Sequence, residues 1–159
     1  KRDEQMVRYY VKTDGASRGN PGHSGYGCVL ENEDGDILAQ LKGYINDKST
    51  NNESEYIAAR KGLIGLHNFI NENPEGYVSF DVDVTLFSDS ELLVKQMSGE
   101  YKVKNERMRV LHEELGSTAE DFFASVKFMH IKRGYNSMAD RLANDAIDDF
   151  FRQQGDVNE

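Results

Sequence analysis

The chain has one cysteine, no tryptophan and two prolines in 159 residues, and no uninterrupted apolar stretch of membrane-spanning length. A single thiol, Cys28, excludes an internal disulfide. Its place in the apolar run GYGCVLE marks it as a small buried side chain in a reducing, cytoplasmic setting. A helical span needs about 20 consecutive apolar residues, so no membrane role is expected. The opening KRDEQM lacks the apolar segment of a secretory signal, and a start on Lys1 rather than methionine reads as a trimmed chain. Positive charge is also in deficit, with 19 Lys+Arg against 28 Asp+Glu and a net charge of −9. That sign argues against a protein that holds polyanions by bulk electrostatics.

The cations that are present are unevenly placed. Lys95, Lys102, Lys104, Arg107 and Arg109 share one short stretch with only Glu100 and Glu106 against them, which makes a local basic patch. Much of the acid lies elsewhere, in Glu31–Asp34 and in the tail from Asp145 to Glu159, where it reads as solvated surface. The length fits one domain, residues 1–159, with a core over about 7–151 and short flexible termini. A monomer satisfies everything the composition requires.

Periodicity along the chain changes in a definite order. Val7 to Thr13 reads as a strand ending at Asp14-Gly15. The turn residues Gly19-Asn-Pro-Gly22 and Gly25 precede a second strand near Tyr26 to Glu31, and Asp34-Gly35-Asp36 separates it from a third near Ile37 to Tyr44. After Asn51-Asn52 the apolar residues Ile57, Ala58, Leu63, Leu66, Phe69 and Ile70 recur at helical spacing as far as about Asn71. Val82 to Phe87 reads as a fourth strand, Glu91 to Met97 as a short helix and Asn105 to about Leu115 as another. Ser125 to Ile131 reads as a fifth strand and Met138 to Phe151 as a last helix. The order βββαβααβα predicts an α/β fold, a mixed sheet with helices on both faces.

Four acids stand where elements begin or end: Asp14, Glu55, Asp89 and Asp140. Each has a local explanation. Asp14 before Gly15 suits a turn, and Asn52-x-x-Glu55 suits a capping box. Asp89 or Ser88 suits a helix cap, and Asp140 suits the first turn of a helix, where the dipole favours anions. Together they point elsewhere, because this topology brings those four places to one side of the sheet, where sites collect. Gathered carboxylates make an oxygen-only site for hard divalent ions such as Mg²⁺ or Mn²⁺. Phosphodiester hydrolysis needs a deprotonated water on one side of phosphorus and a stabilised alkoxide on the other, and two ions about 3.5–4 Å apart serve both.

The four motifs TDGASRGNPG, STNNESE, SDSELL and ADRLANDA occur in that order, and over about Val7–Phe150 the chain resembles the type 1 ribonucleases H. The resemblance implies their fold, a mixed five-stranded sheet of three antiparallel and two parallel strands flanked by helices. It implies hydrolysis of the RNA strand of an RNA–DNA hybrid, leaving 5′-phosphate and 3′-hydroxyl, with two Mg²⁺ or Mn²⁺ ions in the substrate complex. Asp14, Glu55, Asp89 and Asp140 match the catalytic and metal-binding acids. Gly15, Asn20 and Asn51 match positions that touch the hybrid, and Lys48, Thr50 and Asn105 match a pocket for a DNA phosphate.

The chain departs from the family pattern at three places. Glu91 stands where many members carry glutamine, and Ser98–Lys104 runs straight into Asn105 where many carry a basic protrusion. The segment Lys132–Ala139 has no histidine where many members have one in a loop. His130 reads as a packed residue, and Arg133 is the available group near the site. Two other readings fit the same fold: a hybrid-binding module without catalysis, and a domain cut from a larger polymerase-type protein.

Overall fold

The computed structural model describes residues 6–158, so the flexible termini expected from the sequence lie, at residues 1–5 and 159, outside the described residues. The elements are β1 (Val7–Arg18), β2 (Gly22–Asn32), β3 (Ile37–Ser49), α1 (Asn51–Glu72), β4 (Val82–Ser88), α2 (Glu91–Met97), α3 (Glu106–Phe122), β5 (Ser125–His130) and α4 (Ser137–Asn158). Short 3-10 turns lie at Ser79–Asp81 and Arg133–Tyr135. The five strands form one sheet in the order β3-β2-β1-β4-β5. β2 runs antiparallel to both β1 and β3, while β4 pairs parallel with both β1 and β5. This is the expected element order and sheet.

Strand alternation decides which side each residue serves. Tyr9, Val11 and Thr13 of β1 are buried in alternation, as are Val82, Val84, Leu86 and Ser88 of β4. They meet the buried face of α1, where Tyr56, Ala59, Leu63, Leu66 and Ile70 recur at helical spacing, and Leu111, Leu115 and Ala119 of α3 complete this core. Leu63 and Leu66 are fully buried, and truncating either to alanine costs about 2–5 kcal/mol. The opposite face of the sheet takes α4, whose Ala139 and Leu142 pack with Val29.

Several elements run longer than their sequence signals. Gly15–Arg18 and Gly22–Gly25 belong to the β1–β2 hairpin rather than to its turn, with pairing kept out to Arg18 and His23. Gly25 and Gly27 are strand residues whose missing side chains admit a helix. A Cβ on Gly27 would sit 2.2 Å from the carbonyl oxygen of Ala139, so only glycine lets α4 approach β2 this closely. α3 continues through Gly116 to Phe122, and α4 continues beyond Phe151 to Asn158. His130 is exposed rather than packed, because β5 is an edge strand pairing only with β4.

Candidate active site

Three acids converge at the carboxyl ends of the neighbouring parallel strands. Asp14 sits on β1, Asp89 directly after β4, and Glu55 in the second turn of α1, with one carboxylate oxygen of each within 4.8 Å of the others. The approach of α1 depends on Gly15, where a Cβ would lie 2.2 Å from the carbonyl oxygen of Ser54. At this distance the Gly15 N–H donates to Glu55 Oε1 at 3.1 Å, which fixes the glutamate beside Asp14. The fourth acid, Asp140, comes from the first turn of α4, and its carboxylate adds to the upward push on the Asp14 pKa. Its helix is pinned to β1 by Asn136, whose Nδ2 donates to the buried carbonyl of Thr13 at 2.8 Å. All four acids line one cleft of about 390 Å³, together with Gly15, Asn51 and Arg133.

The electrostatics are those of crowded carboxylates. Asp14 is 5% exposed, and its pKa is raised far above the usual carboxylate range, first by burial, then by the charges of Glu55 and Asp89. Glu55 is raised as well, by burial and by Asp89, against the lowering effect of the Gly15 N–H and Arg133. The Asp89 side chain is 4% exposed, and its Oδ2 has no hydrogen-bond partner among the described residues. Arg133 Nε stands 4.0 Å from that oxygen, beyond hydrogen-bond reach. A buried carboxylate oxygen without a donor, beside two further carboxylates, is the donor set that a hard divalent cation satisfies.

The remaining expected residues divide by position. Gly15, Asn51 and Arg133 face the cleft with the acids, and Ala16, Ser17, Asn52 and Ser90 join them without a sequence signal that singled them out. Asn20 lies in the β1–β2 turn, where its Oδ1 accepts from the Asn51 N–H at 2.8 Å. Thr50 is the N-cap of α1 and Asn105 the N-cap of α3; Lys48 is exposed at the end of β3. The two caps are linked through Glu53, which accepts from the Thr50 N–H at 2.8 Å and pairs with Arg107 at 3.4 Å. The capping box is therefore Thr50 with Glu53, two residues earlier than Asn52 with Glu55, which leaves Glu55 free for the cleft. Ser90, rather than Asp89 or Ser88, caps α2. Glu91 is not among the residues lining the cleft and pairs with Lys95 on its own helix at 3.3 Å.

A mixed sheet of this order, with carboxylates gathered at the ends of its two central parallel strands, defines the ribonuclease H-like class of folds. The family model for RNase H matches residues 4–148, and the chain belongs to that family. It is 36% identical over 144 residues to a bifunctional protein of Mycobacterium tuberculosis, a match covering 89% of this chain and 36% of that protein. It is 37% identical over 145 residues to ribonuclease HI of Halobacterium salinarum, covering 89% of this chain and 65% of that one. The chain thus spans about a third of the length of the mycobacterial relative. Among solved structures, LC11-RNase H1 in complex with an RNA/DNA hybrid matches with a TM-score of 0.81 and 36% identity, covering 90% of this chain and 99% of that one.

Proposed function

We propose that this protein is a divalent-metal-dependent endonuclease that hydrolyses the RNA strand of RNA–DNA hybrids, leaving 5′-phosphate and 3′-hydroxyl ends. The observation that carries the reading is the meeting of Asp14, Glu55 and Asp89 within 4.8 Å, with Asp140 in the same cleft. The family membership and the hybrid held by LC11-RNase H1 support the substrate. Asp14, Glu55, Asp89 and Asp140 would hold a pair of Mg²⁺ or Mn²⁺ ions, with Asp14 and Asp89 the central ligands. When bound, such a pair supplies an activated water and stabilises the departing alkoxide.

The chain's own residues grip and orient. Gly15, Asn20 and Asn51 lie at or beside the cleft floor, where small groups read 2′-hydroxyls in a shallow groove. Lys48, Thr50 and Asn105 take a DNA phosphate, a role supported by the Glu53–Arg107 link that draws the two caps together. Arg133, 87% exposed beside Asp89, balances negative charge at the cleft mouth. The working unit is a single domain acting as a cytoplasmic monomer. Among the described residues no helix is long and apolar enough to cross a membrane.

The test is incubation of the protein with labelled hybrid, double-stranded RNA and single-stranded RNA, each with Mg²⁺, Mn²⁺ or a chelator. Cleavage confined to the RNA of the hybrid and abolished by chelator supports the reading. No cleavage with either metal, alongside retained hybrid binding, would make the chain a catalytically silent module instead.

A further inference from the structure

Asp140 stands apart from the other acids in how it is held. Its carboxylate is outside the trio whose oxygens lie within 4.8 Å of one another, so its side-chain torsion decides whether it reaches them. Asn144 lies one helical turn further along α4, on the same face. Its Nδ2 donates to the Asp140 carbonyl at 3.0 Å and to Asp140 Oδ1 at 3.3 Å.

The amide is itself oriented from the other side. Arg18, the last residue of β1, directs Nη2 to the Asn144 backbone carbonyl and to Asn144 Oδ1, both at 3.3 Å, while Nη1 donates to Asp148 Oδ1 at 2.8 Å. A guanidinium has only donors and a carboxylate only acceptors. With Arg18 on one side and Asp140 on the other, the amide has one satisfactory orientation: oxygen toward the arginine, NH₂ toward the aspartate. The inverted amide would set oxygen against carboxylate and NH₂ against guanidinium.

We infer that Arg18 and Asn144 form a positioning relay that fixes the side-chain orientation of Asp140 in the cleft. The inference rests on the proposed role of Asp140 as an acid of the site. Strand β1 then contributes twice, with Asp14 in the cluster and, four residues later, Arg18 steering the acid that arrives from α4. Neither Arg18 nor Asn144 lines the cleft, so both act through Asp140.

The test compares Asn144→Ala, Arg18→Met, Arg18→Lys, Asp140→Asn and the double variant Asn144→Ala/Asp140→Asn, with Asp148→Asn as control. Three quantities are read: kcat and KM on hybrid, the Mn²⁺ concentration for half-maximal rate, and the rise in Tm when Mn²⁺ is added to substrate-free protein. Asn144→Ala and Arg18→Met are expected to lower kcat about 10-fold with KM near the parent value. Both are also expected to move the Mn²⁺ response to higher concentration and to reduce the Mn²⁺-induced rise in Tm. Arg18→Lys restores part of the loss, and Asp148→Asn, which removes only the exposed ion pair, behaves as the parent. Adding Asn144→Ala to Asp140→Asn is expected to change nothing further. A parent-like kcat and Tm response in Asn144→Ala would overturn the relay, as would a further loss in the double variant. If the parent cleaves no hybrid, the proposed function fails, while the Tm series still decides the relay.

Discussion

Replacing Asp14 by asparagine is expected to separate the proposed catalysis from stability at a single atom. The carboxyl is buried among Glu55, Asp89 and Asp140, and its folded pKa lies above its unfolded value of about 3.9. Its favourable contribution to folding is therefore fully present below pH about 4 and is lost as pH rises toward the folded pKa. Metal-free Asp14→Asn is expected to be more stable than the parent at neutral pH by about 1–2 kcal/mol, with the difference vanishing near pH 4 and cleavage abolished. Thermal melts in chelator across pH check this, and a variant less stable than the parent at pH 7 would return Asp14 to a turn-forming role. Thr50 and Asn105 need a different control, because each caps a helix and loses about 1 kcal/mol on conversion to alanine. Thr50→Ala is expected to raise KM about tenfold, one charge-assisted hydrogen bond, while Thr50→Ser keeps both cap and affinity. An unchanged KM in Thr50→Ala would remove Thr50 from the phosphate pocket.

The helices reach the site only because glycines let them. Gly15 and Gly27 stand where a Cβ would press within 2.2 Å of a backbone oxygen, of Ser54 in α1 and of Ala139 in α4. Gly15→Ala is expected to cost about 1–3 kcal/mol and, by shifting Glu55 away from Asp14, to reduce kcat about 100-fold. A melting curve and a steady-state assay on the same preparation measure both. Gly15 and Gly25 explain why the hairpin was hard to read. In a sequence they look like turn punctuation, whereas in the fold they are strand residues under a crossing helix. Element order and the four acids were legible, since period changes and the motifs TDG, NNESE, SDSE and ADRLAN survive in one dimension. Partners distant in sequence were not: nothing local says that Glu55 accepts from Gly15, that Thr50 rather than Asn52 begins the helix, or that His130 lies on an edge. Helix α3 passes through Gly116, where a side chain would meet nothing, so packing on both sides of that residue carries the helix past a weak position.

At the scale of the molecule, a net charge of −9 makes the proposed hybrid binding depend on where cations are concentrated. The segment after α2 holds Lys102 and Lys104 in place through Gln96, whose Nε2 donates to the Lys102 carbonyl at 3.3 Å while its Oε1 accepts from Tyr56 at 2.7 Å. Lys102→Ala/Lys104→Ala is expected to raise KM about uniformly across hybrid sequences and to flatten the salt dependence by about one unit of slope per lost phosphate contact, with kcat retained. Titration of KM against salt checks it; an unchanged slope would place the hybrid on another face.

The most direct measurement is anomalous diffraction from crystals soaked in Mn²⁺ with a non-cleavable RNA–DNA hybrid. The expected result is Mn²⁺ bounded by the carboxylates of Asp14, Glu55 and Asp89, with Asp140 turned toward it and the RNA strand over the cleft. A hybrid bound with no Mn²⁺ peak among those oxygens would contradict the account.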